Sequence, residues 1–202
     1  MKNLIKGIGV ALALLAKAAY AVPTLYFDGN IQYDANSGML TGFSGLTASE
    51  EIAPAPALQD SFFGFASVLT GVDSSTPGVT VGSFGSVAGN DFEIFDGNGI
   101  ELLSGDFVEL ELLGRNGRDS GRLTATLSVL SGSLMSQFDQ GQLFALEFNM
   151  SAAFGSDLFD TSFYGRIDGR LEGVEQDVPE PGIALLLGAG LLLMGALKRR
   201  RV

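Results

Sequence analysis

The chain of 202 residues contains no histidine, no cysteine and no tryptophan. Without histidine, neither a Ser-His-Asp nor a Cys-His catalytic arrangement can be assembled. Without cysteine there is no thiol nucleophile, no disulfide and no Cys/His zinc site. Without tryptophan the usual sugar-stacking platform is missing, and only Tyr and Phe could serve. Cations are scarce in the middle of the chain. Of 12 Lys+Arg, three precede Val22 (Lys2, Lys6, Lys17) and four follow Leu197. The rest are Arg115, Arg118, Arg122, Arg166 and Arg170. All 23 acids lie between Val22 and Pro181, so that stretch carries a net charge of −18. Such a surface repels nucleic acid, which excludes that partner class. It also keeps an exported domain soluble.

The two ends are built differently from the middle. Residues 1–21 have the build of a secretory signal peptide, forming an N-terminal signal helix. Lys2 and Lys6 make the positive start, Gly7 to Ala16 the apolar stretch, and Ala19-Tyr20-Ala21 the small-x-small cleavage pattern, with Ala19 and Ala21 as its small residues. A permanent anchor would need a longer apolar stretch. At the other end stands Val178-Pro179-Glu180-Pro181, then the uncharged, leucine-rich run Gly182 to Leu197, then Lys198, Arg199, Arg200 and Arg201. As a helix, 182–197 reaches roughly 24 Å at about 1.5 Å per residue, somewhat short of a ~30 Å hydrocarbon core. The cations at its end can snorkel and make up part of the deficit. No polar stripe breaks the run, which argues for a C-terminal transmembrane helix over a buried core helix. Pro179 and Pro181 hold the preceding peptide extended. Positive charges flank the cytoplasmic side of membrane segments, so both ends place the body across the membrane from the cytoplasm.

This tripartite tail, 178–202, resembles the PEP-CTERM sorting signal of exported proteins from exopolysaccharide-producing Gram-negative bacteria. The resemblance covers the tail alone. It implies passage through the Sec export machinery and transient anchoring in the inner membrane, with the body in the periplasm. It further implies processing by exosortase, a membrane-embedded protease-like enzyme, and delivery to the cell surface or extracellular matrix. Exopolysaccharide is the partner such a destination suggests.

The body, 22–177, reads as one all-β domain. Period-two alternation is the strand signal. Val108, Leu110 and Leu112 alternate with Glu109 and Glu111; Leu123, Ala125, Leu127 and Val129 with threonine and serine; Phe144, Leu146, Phe148 and Met150 with Glu147 and Asn149. Phe163, Ile167 and Leu171 lie opposite Tyr164, Arg166, Asp168 and Arg170. Strands with one dry and one wet face are antiparallel. Further strands are expected over Thr24 to Tyr33, Gly38 to Phe43, Ser61 to Thr70, Gly78 to Val87 and Asp91 to Phe95. Glycine-rich turns at even spacing suggest an antiparallel β-sandwich, jelly-roll-like or related. Leu110, Leu127, Phe144 and Phe148 are expected in its core. Glu50 to Asp60 reads as a loop, Gly114 to Gly121 as a hairpin loop, and Ser151 to Asp160 as a short helix or crossover.

Two constellations could carry chemistry. Phe27-Asp28-Gly29-Asn30, Tyr33-Asp34-Ala35-Asn36-Ser37-Gly38 and Phe95-Asp96-Gly97-Asn98-Gly99 echo one another. One reading is calcium, held by Asp91, Asp96 and Asn98 as hard oxygen ligands on a bent loop. The other is three turns whose Asp and Asn bond their own backbone, with no cofactor. Glu109 and Glu111 share the wet face of one strand, but retaining glycoside hydrolysis needs two carboxyls in unequal environments, and nothing here places either in an apolar pocket. Two functions therefore stand: a non-enzymatic surface or matrix protein, and a carbohydrate-binding or carbohydrate-cleaving protein acting on matrix polysaccharide.

Overall fold

The computed structural model describes residues 23–52, 58, 60–138, 143–155 and 158–174. The expected signal segment 1–21, with Ala19 and Ala21, lies outside these residues. So does the tail 178–202, with Val178 to Pro181, the apolar run and Lys198 to Arg201.

Nine strands follow in order: β1 Thr24–Asp34, β2 Met39–Glu50, β3 Phe62–Asp73, β4 Val79–Gly85, β5 Phe92–Phe95, β6 Glu101–Arg115, β7 Ser120–Ser131, β8 Leu143–Ala152 and β9 Phe163–Gly173. A short 3-10 helix, Ser133–Gln137, joins β7 to β8. Every ladder is antiparallel. Apart from β4 and β5, which do not pair with each other, each strand pairs with its neighbours in sequence order, and β1 pairs with β9 from Thr24–Glu172 to Tyr33–Phe163. The ring therefore closes. The strands β4 and β5 are two halves of one stave: β4 lies beside the far half of β3 and β5 beside its near half, and both also pair with β6. That double duty makes β6 the longest strand, at 15 residues. The architecture is an eight-staved, up-and-down antiparallel barrel.

A barrel replaces the expected sandwich for a physical reason. Alternation reports one dry and one wet face, and both folds satisfy it equally. What separates them is whether the ladder runs unbroken around the ring. Here the β1–β9 and β2–β3 pairings leave no open edge.

The interior is apolar and filled. Phe27, Phe63, Phe92 and Phe148 meet at its centre, with ring centroids 5.3–6.5 Å apart. Leu110, Leu127, Phe144 and Phe148 are all buried, as expected. Inward glycines make room for the rings. A Cβ on Gly42 would come within 1.9 Å of the Phe65 ring, and one on Gly82 within 2.4 Å of Phe159. Both mouths are plugged. Phe154, Leu158 and Phe159, from the β8–β9 connection, are buried against Gly114, Gly121 and Gly82 at one end. Ile52, Leu58, Leu134 and Phe138 are buried in the connections at the other. The stretch Ser151 to Asp160, expected as a short helix or crossover, is the end of β8 followed by irregular backbone and a turn, among the described residues. The outward positions are mostly polar, the reverse of a barrel whose outside faces lipid.

One inward assignment is corrected. Val108 was expected in phase with Leu110, yet it is exposed. The β6–β7 register slips between Phe107 and Glu109, so Val108 is the extra residue of a bulge and Phe107 takes the inward position.

Candidate binding face

Cross-strand register aligns outward residues from β8 to β2. Glu147 faces Arg170, which faces Tyr26; in the next row Asn149 faces Asp168, which faces Asp28. Thr47 is the extra residue where the β1–β2 register shifts, and its Oγ1 donates to the Tyr26 carbonyl at 3.1 Å. Tyr26, Asp28, Glu147, Asn149, Asp168 and Arg170 thus line an open groove of about 490 Å³ on the outside of the barrel.

The charges of this face are largely paired. Glu147 accepts from Arg122 and lies 3.8 Å from Arg170, whose Nε sits 3.2 Å from Glu172. Arg166 reaches both oxygens of Asp28, at 3.1 and 3.3 Å. These pairs are a third or more exposed, so each contributes about 0–1 kcal/mol. The Tyr26 hydroxyl donates to Glu50 at 3.3 Å. Partial desolvation, reinforced by the Glu50 carboxylate, raises the Tyr26 phenol above its ordinary value and keeps it a neutral donor. The groove therefore offers one aromatic ring, a guanidinium, an amide and several carboxylates: donors and acceptors for hydroxyl groups along a shallow cleft.

Asp91, Asp96 and Asn98 are not brought together as one group. Asp96 and Asn98 share the β5–β6 turn. Asp96 Oδ1 accepts from the backbone N–H of Asn98 at 2.9 Å and of Ile100 at 2.8 Å. These bonds, the Ile100 one foremost, hold the Asp96 carboxyl below its usual range. Asp91 stands at the other end of β5, where the stave breaks between β4 and β5. Its buried carboxylate accepts from Val87 N–H at 2.8 Å and Phe107 N–H at 2.9 Å. Among the described residues, no three acidic, histidine or cysteine side chains converge as metal ligands. Of the three sequence echoes, Asp34 repeats the Asp96 turn, bonding Ser37 Oγ and Asn36 N–H. Asp28 does not: it lies mid-strand in β1 and pairs with Arg166. Glu109 and Glu111 lie on β6 across from Thr126 and Thr124.

No protein-family model matches the chain, and no curated protein or solved structure matches it either. The groove itself was invisible in the sequence, because Asp28 and Asp168 meet only through the closing β1–β9 register. The one local signal was the wet face of β9, Tyr164 to Arg170.

Proposed function

We propose that the protein is an exported, non-enzymatic component of the cell surface or extracellular matrix, processed by exosortase through its tail. The observation that carries this is the tail's three-part order. Pro179-Glu180-Pro181 comes first, with prolines that disfavour a helix, the uncharged run Gly182 to Leu197 follows, and four cations come after it. Crossing the bilayer with such cations costs ~2.5–3.5 kcal/mol each even on the lenient scale. The barrel suits this reading. Its inside is spent on packing, and several of its carboxylates cap turns or pair with arginine. The route runs through the Sec machinery and the inner membrane, with release to the surface or matrix. The test is mass spectrometry of the mature protein from an exosortase-bearing host. The expected product lacks residues 1–21 and the apolar run with its basic end, and Glu180→Ala keeps the protein full length and membrane-bound. A tail found intact on the native protein replaces this reading with a plain anchor.

A second reading has its own support in the groove, where Tyr26 stands beside Asp28, Asp168 and Arg170. That set favours binding of a carbohydrate such as exopolysaccharide over a purely structural body.

A further inference from the structure

Beside the groove, the outer face of β2, β3 and β5 carries three phenylalanines in a row. The Phe43 and Phe62 ring centroids are 5.2 Å apart, and those of Phe62 and Phe95 5.5 Å. Phe43 is 59% exposed, on a face where polar residues are the rule. Register sets glycines among the rings: Phe43 is opposite Gly64, and Phe62 is opposite Gly45.

These two glycines differ from the inward ones. Gly42 is required, since any side chain there would overlap Phe65. A Cβ on Gly64 would meet nothing within 4 Å, and one on Gly45 only the Asp28 carbonyl at 4.0 Å. Neither has a positive φ. Glycine inside a strand costs roughly 0.5–1 kcal/mol relative to alanine, and here neither packing nor backbone conformation asks for it. The rings do not fold over the glycines either, because a Cβ there meets no ring atom. The result is a checkerboard of phenyl rings and bare backbone floors. Polar groups flank it in the same rows: Asn30 opposite Phe43, Asp28 opposite Gly45, and Glu93 opposite Gly64.

We propose that this face is a stacking platform for a neutral polysaccharide. A pyranose ring has an apolar C–H face that suits a phenyl ring and a bare floor, and a rim of hydroxyls that suits the amide and carboxylates alongside. Charge selects among occupants. The body carries −17, so a second copy of the chain and an anionic glycan are both repelled, whereas a neutral glycan is not. The platform continues into the groove through Asp28. The proposal leans on the functional reading above only for the protein meeting glycans outside the cell.

The test is titration calorimetry of the full-length chain in mild detergent against neutral hexasaccharides of glucose, mannose and N-acetylglucosamine, with oligoalginate as the anionic control. Saturable binding of at least one neutral hexasaccharide is expected, weakened at least about tenfold by Phe43→Ala and by Gly64→Thr. Gly64→Thr fills the floor with a good strand former, so its melting temperature is expected to be unchanged or raised. Failure of all the neutral sugars to bind overturns the proposal, as does binding that both variants leave intact. Equal binding of alginate, or a Phe43-dependent dimer in sedimentation, overturns it as well. Tail processing is read independently, so failure there leaves this result standing.

Discussion

Asp91 is the residue on which the broken stave depends, and removing its carboxylate tests that. The side chain is 1% exposed and accepts two backbone N–H groups, one on each side of the β4–β5 gap: Val87 from the excursion and Phe107 from β6. Its own backbone continues the ladder, with N–H to Gly105 and carbonyl to Ala66, each at 2.9 Å. Hydrogen bonds to a charged group contribute about 1.5–3 kcal/mol each, and a buried donor left unpaired costs about 1–3 kcal/mol. Val87 N–H can recover water more readily than the buried Phe107 N–H, so Asp91→Ala is expected to cost about 3–5 kcal/mol. That is a large part of the ~5–15 kcal/mol total of a typical domain. At about 2–4 °C per kcal/mol for a chain of this size, the melting temperature falls by roughly 6–20 °C. Asp91→Asn keeps one acceptor but turns an amide N–H₂ toward the other donor, so it recovers only part of the loss. Urea unfolding followed by far-UV circular dichroism measures both variants. A cost below about 1 kcal/mol for Asp91→Ala would refute the account of the gap.

Other predictions follow from the same structure. Leu127→Ala, at a fully buried position, should cost ~2–5 kcal/mol with an unchanged strand spectrum. The carboxyls of Asp34, Asp73, Asp96 and Glu101 are all held below their ordinary values, chiefly by hydrogen bonds from Ser37, the Ser75 backbone, the Ile100 backbone and Ser131 respectively. Because folding depresses them, their contribution is present in full above the ordinary Asp and Glu values, 3.8 and 4.5. It is lost as the pH falls through and below that range. The melting temperature should therefore drop on acidification from pH 5, and Asp96→Asn should shallow that drop. Calcium at millimolar concentration should leave the melting curve where chelator leaves it, since Asp91 and Asp96 already serve backbone donors. A rise with calcium would restore the metal reading through mass action.

The sequence was most informative where structure is local. The alternation of Leu123 to Val129, Phe144 to Met150 and Phe163 to Leu171 located β7, β8 and β9 and their buried faces. Asp34 and Asp96 announced turns, and turns they are. The reading was less successful where geometry depends on distant pairing. Nothing near Thr24 says that it faces Glu172, so barrel and sandwich looked alike. Val108 looked inward because a bulge shifts phase without changing composition. The groove and the phenylalanine platform were hidden for the same reason: Asp28 and Asp168, or Phe43 and Phe62, become neighbours only once the register between strands is known. Glycine carried two opposite messages that no count could separate, as at Gly42, where a ring needs the space, and Gly64, where nothing does.

The seam between β1 and β9 has a consequence for the order in which this protein can be made. The first strand to be synthesised has the last strand as one of its two partners; Asp28 and Arg166 bridge a gap of 138 positions along the chain. Until Phe163 to Glu172 exists, one edge of β1 and one edge of β8 stay bare, an invitation to pair with another chain. Closure is a late, long-range event of the kind that slows folding. A ribosome-released fragment ending before Phe163 would carry two sticky edges and no ring. A host that makes this protein has reason to keep the nascent chain apart from its copies until the ninth strand arrives.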